Sequence, residues 1–283
     1  VHVYAHGKDT NLSLTNEGKM GYLEANVLDQ AQASIKNNGE IMRGMHNGVH
    51  DEGSRLEFVN DKEGRITDGI MDNNAVEKGE FVFTNNGTIS GEHLFNGAFD
   101  GGMLKNTNNG TINVTNVTNE SLHNYARGGG SFVESTNNGT INGGVMNQAD
   151  EGSRNVAANH GTVNGQYEFY TGGGGEVVGE NNGTVNSLYA GADGGRVSAV
   201  NNGKVKEEIR ADASHESMKA DVTVINNGEA DRMYVSAGEN GTLNVENNGR
   251  LTGDGKTWIT IEWEDGEISR ELSGELSIDA WDK

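Results

Sequence analysis

The chain has 283 residues, of which 33% are hydrophobic, 43 are Gly and none is Pro or Cys. Without Cys the chain has no disulfide, thiolate metal site or cysteine nucleophile. Its formal net charge of -21 repels nucleic-acid phosphates and anionic membrane surfaces. No apolar run approaches the roughly 20 residues of a membrane-spanning helix. We therefore expect neither nucleic-acid binding nor membrane insertion of this segment.

After a strand-like start, VHVYAH from Val1, the chain repeats one kind of corner, as in NNGTVN from Asn181 to Asn186. Eleven corners end on a glycine: Gly18, Gly39, Gly64, Gly87, Gly110, Gly139, Gly161, Gly183, Gly203, Gly228 and Gly249. These glycines are 20 to 29 residues apart, which is typical of a solenoid. Each unit is too short to bury a core alone and must pack on its neighbours.

Two columns, meaning residues at equivalent positions in successive coils, support this register. The residue two after every corner glycine is apolar, and so is the residue six before it, except at Asn155. The flanking residues alternate as in strands, and a third segment carries aromatic or Met residues such as Tyr189 and Met146. Three short strands per turn predict an all-β fold, a parallel β-helix of about eleven coils and about 50 Å length.

The corner itself has a structural interpretation. Its first position, two before the glycine, is Asn in ten of the eleven coils, and Lys62 is the exception. Stacked Asn side chains one coil apart predict an amide ladder along the axis. Asn tolerates left-handed backbone and Gly adopts positive φ at low cost, so we expect the corner to use these conformations.

A strip of Thr and small polar residues flanks the apolar column after the corner and is the candidate binding strip. Its members are Thr88, Ser90, Thr111, Asn113, Thr140, Asn142, Thr162, Asn164, Thr184 and Asn186. Outside this block the first position is charged, reading Lys19, Glu40, Arg65 and then Lys204, Glu229, Arg250. Alternating charges on neighbouring strands favour the intended pairing. The strip itself is interpreted as good strand surface, a glycan contact, a glycosylated face or an ice-binding face.

Irregular coils offer further candidates. The coil between Gly110 and Gly139 carries extra residues around 115–124, and EEIRADASHE brings Glu207, Asp212 and His215 together. Such groups could perform acid–base chemistry or bind a cation, or form only a solvated acidic loop. No catalytic residue or cofactor is assigned, because no GxSxG, phosphate loop, EF-hand or GGxGxD calcium repeat is present. Calcium therefore has no supporting motif.

The C-terminal residues change character. Residues 1–255 form the predicted β-helix, and 256–283 alternate around an Asp-Gly turn, which predicts one or two antiparallel β-hairpins. We interpret this segment as a cap, because an open solenoid end exposes unpaired strand edges. Its three Trp residues, Trp258, Trp263 and Trp281, are expected in the core of the cap.

The recurring GGxV…NNGTV pattern resembles bacterial secreted β-helical passengers, both the haemagglutinin repeats of two-partner secretion and the repeats of adhesive autotransporters. The resemblance covers roughly Asn11 to Thr252. It implies an exported rod at the bacterial cell surface that serves structure or adhesion and contacts a glycan or surface receptor through a lateral face. The alternatives are a polysaccharide lyase or depolymerase with a lateral groove, and an ice-binding protein that uses the Thr strip. A non-enzymatic role is favoured.

Overall fold

The computed structural model describes residues 1–114, 122–213, 218–238 and 240–253, and the backbone of three more strands up to residue 280. The described residues contain no helix and wind into a parallel β-solenoid. Within most strands buried and solvent-facing residues alternate, as expected when one side of each strand faces a shared core. The predicted fold class is confirmed.

The strands lie on three faces, named by their order around the corner. The first face precedes the corner: Asn11–Asn16, Gln32–Asn37, Arg55–Asn60, Glu80–Asn85, Met103–Asn108, Phe132–Asn137, Arg154–Asn159, Ala220–Asn226, Gly241–Asn247 and Glu267–Leu272. The second face follows it: Lys19–Met20, Glu40–Ile41, Arg65–Thr67, Thr88–Gly91, Thr111–Val114, Thr140–Asn142, Lys204–Val205, Glu229–Ala230 and Arg250–Leu251.

The third face completes the coil. Its strands are His2–His6, Leu23–Leu28, Met45–Val49, Ile70–Val76, His93–Phe99, Leu122–Arg127, Val145–Asp150, Glu208–Ala213, Arg232–Ala237, Lys256–Ile261 and Glu275–Ala280. Two longer strands, Thr162–Asn181 and Thr184–Asn201, run through all three faces without a break.

The core is a set of stacked columns. The predicted isoleucine column of the second face is in register through five coils and fully or almost fully buried: Ile41, Ile66, Ile89, Ile112 and Ile141. The three inner isoleucines therefore lie between two others, and the column continues to Met20 at one end and Val163 at the other. This column is the packing that the corner spacing predicts.

A buried Asn ladder runs along the corner. Ten side-chain hydrogen bonds of 2.7–2.8 Å join eleven Asn residues: Asn16, Asn37, Asn60, Asn85, Asn108, Asn137, Asn159, Asn181, Asn201, Asn226 and Asn247. The predicted interruption of the Asn column at Lys62 is wrong, because Lys62 lies outside the column. The corner before Gly64 holds two extra residues, so Asn60 occupies the ladder position and Leu56, not Phe58, faces Ala33 and Phe81.

The corner glycines serve a different purpose from the predicted one. Positive φ occurs in the turns between the third and first faces, for example at Gly128, Gly152 and Gly194, and at none of the corner glycines or ladder Asn residues. A Cβ on Gly139 would instead overlap the carbonyl oxygen of Gly110 one coil below, and most other corner glycines share this contact. The corner requires glycine for close stacking of backbone on backbone.

A second buried Asn ladder, which the sequence analysis missed, lies on the third face. Side-chain bonds of 2.8–3.0 Å join Asn47, Asn73, Asn96, Asn124 and Asn147. All five are at most 1% exposed. The Asn147 amide then donates to the carbonyl oxygen of Glu168 at 3.1 Å, where Phe169 takes over the inward position. Polar ladders thus stabilise the interior at two of its edges.

The C-terminal segment differs from the prediction in its strand pairing. Lys256–Ile261 pairs in parallel with the third-face strand Arg232–Ala237, and Glu267–Leu272 pairs in parallel with the first-face strand Gly241–Asn247. Glu275–Ala280 then pairs in parallel with Lys256–Ile261. The backbone therefore continues the solenoid where antiparallel hairpins were expected. The domain boundary and the cap remain predictions, and the Trp side chains lie outside the described residues.

Candidate functional site

The predicted strip forms one band along the second face. Thr88, Thr111, Thr140, Thr162 and Thr184 are in register and half-buried. The polar residues two positions further on bond largely to one another: Asn113 donates to Ser90 at 3.3 Å, Asn142 to Asn113 at 2.7 Å and Asn164 to Asn142 at 2.8 Å. Lys206 donates to Asn186 at 3.0 Å, and a bulge after Val163 interrupts the register beside it.

Charged pairs flank this strip as predicted. Lys19 lies 2.8 Å from Glu40 on one side, and Lys204 lies 3.7 Å from Glu229 on the other. Exposed ion pairs of this kind contribute little to stability, but they favour the correct strand register between neighbouring coils. The strip is therefore a bounded band of five coils. Two of its four amide oxygens accept from a neighbouring amide of the band, and the other two accept from Lys206.

The third face carries an aromatic surface that the sequence analysis did not assign. We define the aromatic belt as the outward-facing rings of this face: Phe95, Phe99, Tyr125, Tyr170, Tyr189 and Tyr234. The centroid of Phe95 is 6.3 Å from that of Phe99 and 6.4 Å from that of Tyr125. Phe99 and Tyr125 are 5.8 Å apart in an edge-to-face arrangement, a favourable geometry for aromatic pairs.

Glycines let these rings lie flat on the sheet. A Cβ on Gly97 would lie 2.6 Å from Cε1 of Phe95 and would overlap the ring of Phe99. A Cβ on Gly191 would lie 2.5 Å from the hydroxyl and 2.7 Å from the ring of Tyr189. Because the inner sides of Phe95, Phe99 and Tyr189 cover glycine backbone, their other sides face outward. These three rings are half-buried platforms, whereas Tyr234 at the end of the belt is exposed.

A carboxylate holds the hydroxyl of Tyr125. Tyr125 donates to Asp150 at 3.0 Å, and Asp150 also accepts from Gln148 at 2.8 Å and from the backbone of Gly172 at 2.7 Å. Burial and then this hydrogen bond raise the pKa of Tyr125 to about 12. Burial, followed by the charges of Asp212 and Glu168, raises the pKa of Tyr189 to about 12. The belt thus combines apolar ring faces with neutral hydroxyls in a negative field.

The belt begins where a different pattern ends. In the first coils the same outward column alternates His and carboxylate: His2 lies 2.9 Å from Glu24, and His46 lies 3.2 Å from Asp72. Phe95 follows Asp72 in register, and the column continues to Tyr234 six coils further on. At roughly 4.8 Å per coil, the belt is about 30 Å long.

A charged groove lies beside the belt, across the turn between the third and first faces. It encloses about 520 Å³ over the turn glycines Gly152, Gly174 and Gly195. Its walls alternate in charge between adjacent coils, in the order Arg154, Glu176, Arg196 and Asp221, with Lys219 at the rim. Arg154 is 3.0 Å from Glu176, and Lys219 is 3.0 Å from Asp221. Both carboxylates of the groove are therefore in ion pairs.

The other candidate sites from the sequence provide less structural evidence of a function. Residues 115–121 of the longest coil and His215 and Glu216 of the acidic loop lie outside the described residues. In the rest of the chain no group of three or more His, Asp or Glu is arranged to hold a metal ion. The pentapeptide DEGSR occurs twice, at Asp51–Arg55 and at Asp150–Arg154. Both copies occupy the same turn of their coils, since the backbone amides of Ser54 and Ser153 donate to the carbonyl oxygens of Asp51 and Asp150 at 3.1 Å.

Comparison of the chain with known protein families, with curated proteins and with solved structures gives no significant match. The haemagglutinin-like or autotransporter-like resemblance therefore remains a hypothesis, and the function has to be argued from the surface itself. Among the described residues there is no helix long and apolar enough to cross a membrane.

A simple signal would have found the belt. On the third face the inward positions carry residues such as Leu122, Asn124 and Ala126, and the aromatic residues occupy the positions between them. Aromatic residues out of phase with the core column must face solvent. Tyr189 and Met146 belong to this segment, and their distance from the corner alone does not determine their side of the strand.

Proposed function

We propose that this solenoid is an extracellular, non-enzymatic structural or adhesive module of a bacterial cell surface, and that it binds glycans along the aromatic belt. The observation that carries the proposal is the arrangement of Phe95, Phe99 and Tyr189 as flat platforms over strand glycines. A contiguous apolar patch on a protein surface is typical of a ligand or partner site. Here the glycine positions provide the room for the rings.

The chemistry of the belt suits a sugar polymer. A sugar ring presents C–H groups on one side, and these pack against the electron-rich face of an aromatic ring. Its hydroxyls require donors and acceptors at the rim, and Gln148, Asp150 and the tyrosine hydroxyls provide them. Because the belt is about 30 Å long, it fits an extended chain rather than a compact ligand.

The test compares belt variants for binding to immobilised polysaccharides. We expect Tyr189→Ala to weaken binding about tenfold, the scale of one lost stacking contact, and Tyr189→Phe to retain it. Thr140→Ala on the second face is the matched control and should leave binding unchanged. Loss of binding with Thr140→Ala but not with Tyr189→Ala would move the site to the predicted strip.

The same samples test the lyase or depolymerase alternative, which the charged groove favours. A catalytic carboxylate must be free to take or give a proton, whereas Glu176 and Asp221 are engaged with Arg154 and Lys219. We expect no shortening of any bound polymer after prolonged incubation. Cleavage that disappears in Glu176→Gln would instead establish an enzyme.

The ice-binding alternative has one specific observation in its favour, the five threonines in register on the second face. Against it, the neighbouring amides bond to one another, and Lys206 places a charge at the end of the band. We expect no freezing-point hysteresis from the purified chain. Hysteresis that Thr140→Lys abolishes would contradict this expectation and assign the strip to ice.

A further inference from the structure

The charged groove contains more cations than carboxylates. Its lining includes five charged side chains: Arg154, Glu176, Arg196, Lys219 and Asp221. Glu176 is 3.0 Å from Arg154, and both are accounted for. Asp221 is 3.0 Å from Lys219 in the same way. Within the part of the chain that the structure describes, Arg196 has no ion-pair partner, although it stands in register between the two carboxylates. One positive charge of the groove is therefore unmatched, on a chain of net charge -21.

The carboxylates just outside the groove have partners of their own. Glu151 lies 2.7 Å from Arg127. Asp150 accepts hydrogen bonds from a tyrosine hydroxyl, a glutamine amide and a backbone amide. Asp193, which precedes the turn on the strand of Arg196, also has an interaction of its own. None of these three carboxylates forms an ion pair with the guanidinium of Arg196 in the described residues.

A second groove, at the same turn of earlier coils, has a matched set of charges. It encloses about 470 Å³, and its charged lining residues are Glu52, Arg55, Lys78 and Glu80. Lys78 lies 2.9 Å from Glu52, and Arg55 lies 3.4 Å from Glu80. Both cations of that groove therefore have a carboxylate within reach. The unmatched Arg196 is a property of the charged groove and not of this turn in general.

Glycines leave the turn beside the charged groove open. Gly173 and Gly174 have φ of 91° and 89°, and a Cβ on either would meet nothing within 4 Å. In an earlier coil the equivalent positions, counted back from the in-register start of the first face, carry Glu77 and Lys78 with φ of 51° and 68°. Side chains are therefore compatible with this turn. Their absence beside the charged groove leaves room for a ligand group next to the unmatched cation.

We propose that the charged groove binds the carboxylate groups of uronic-acid polysaccharides, with Arg196 as the principal contact and Arg154 and Lys219 beside it. This inference rests on the proposed glycan-binding function and names its ligand class. A guanidinium without a partner can donate two parallel hydrogen bonds to one carboxylate. Such charge-assisted bonds are roughly twice as strong as bonds between neutral groups, so they select an acidic sugar over a neutral one.

The position of the groove suits a polymer that also contacts the aromatic belt. Tyr189 and Arg196 lie on one continuous strand, Thr184–Asn201, with only the end of the third face and the turn between them. The groove extends along the rod over four coils, roughly 14 Å, parallel to the belt. A glycan bound to the belt can therefore place acidic groups across the turn and into the groove.

The net charge of the chain does not prevent this contact. At physiological ionic strength, charges more than about 8 Å apart are largely screened, so a carboxylate in the groove responds mainly to the side chains that line it. A nucleic acid or an anionic membrane presents phosphates over a broad surface, and these would meet the acidic remainder of the rod. The groove therefore favours a narrow acidic polymer.

The experiment compares two hexamers with the same backbone: α-1,4-linked galacturonic acid and its fully methyl-esterified form, which keeps the rings but lacks the charge. Binding is measured by calorimetry at about pH 7 and about 0.15 M salt, where the free carboxylates are ionised. We expect the acid hexamer to bind about tenfold more tightly than the ester. Equal affinities, or tighter binding of the ester, would overturn the proposal.

Variants assign this preference to the groove. Arg196→Gln should weaken the acid hexamer to about the affinity of the ester, and leave the ester unchanged. The matched control Arg65→Gln removes an exposed arginine of the second face and should change neither affinity. Glu176→Gln releases Arg154 from its ion pair and should tighten the acid hexamer about threefold, whereas Glu63→Gln at an exposed corner should not. An equal loss in both arginine variants would show non-specific attraction and overturn the proposal.

The outcomes also separate this inference from the function on which it rests. Equal affinities for the acid and ester hexamers, both reduced in Tyr189→Ala, would overturn acid selection and support glycan binding. If neither hexamer binds and the polysaccharide panel is also negative, both the inference and the proposed function fail. A glutamate hexapeptide that binds as tightly as the acid hexamer, and is weakened by Arg196→Gln, would make the groove an acidic-peptide site and overturn the uronate assignment.

Discussion

Replacing Gly161 by Ala is expected to lower the free energy of unfolding by about 3 kcal/mol, at the upper end of the usual cost of overpacking. A Cβ at Gly161 would overlap the carbonyl oxygen of Gly139 in the coil below. The obstacle is backbone, which cannot rotate away as a side chain can, so adjacent coils would have to separate. That separation would lengthen the ladder bond between Asn137 and Asn159 as well.

Two glycines provide matched controls for this prediction. Gly18 belongs to the same corner column, but a Cβ there has nothing within 4 Å, and the same holds for Gly129 in the middle of the rod. Neither has positive φ, so Ala at either position should change stability by less than about 0.5 kcal/mol. Urea denaturation followed by circular dichroism measures all three variants. Equal losses for Gly161 and Gly129 would show that general flexibility, not coil stacking, explains the corner glycine.

The contrast between the predicted and the observed corner shows what sequence spacing can and cannot determine. The apolar columns and the Asn ladder could be predicted because a fixed distance from the corner keeps a residue on one side of the strand. The backbone conformation of the corner could not be predicted. Glycine is used both for positive φ and for close backbone stacking, and the sequence does not distinguish the two uses. Because the corner before Gly64 contains extra residues, counting back from that glycine identified the wrong residue for the Asn ladder.

The third face was predicted least well, for a related reason. The buried residues Asn47, Asn96 and Asn124 lie eight, nine and fourteen positions after their corner glycines, so no constant spacing identifies them as one column. The variation lies in the turn between the second and third faces, which changes length without disturbing the stack. The residues of the aromatic belt also lie at varying distances from their corner glycines. Only the alternation within each strand distinguishes an outward ring from a core ring, such as Tyr125 from Phe169.

Replacing Asn137 by Ala is expected to cost about 3 kcal/mol, because it removes the acceptor of the buried Asn108 amide and the donor to the buried Asn159 oxygen. Asn137 accepts from Asn108 at 2.7 Å and donates to Asn159 at 2.7 Å, and it is 5% exposed. The next residue is an internal control: Asn138 donates to Asn109 at 2.8 Å on the exposed side of the same corner. Water replaces that bond, so Asn138→Ala should cost less than about 0.5 kcal/mol.

A charged variant separates hydrogen bonding from packing in the ladder. Asn137→Asp keeps the shape of the side chain but, when ionised, cannot donate to Asn159 and places a charge in the interior. Burial raises the pKa of such a carboxyl above its unfolded value of about 3.9, so the charge penalty is absent below that pH and grows as pH rises. Asn137→Asp should therefore be far less stable than Asn137→Ala at about pH 7, and the gap should narrow or reverse near pH 3. If the two variants unfold at the same urea concentration at both pH values, the ladder contributes through packing alone, and its unbroken run of Asn requires another cause.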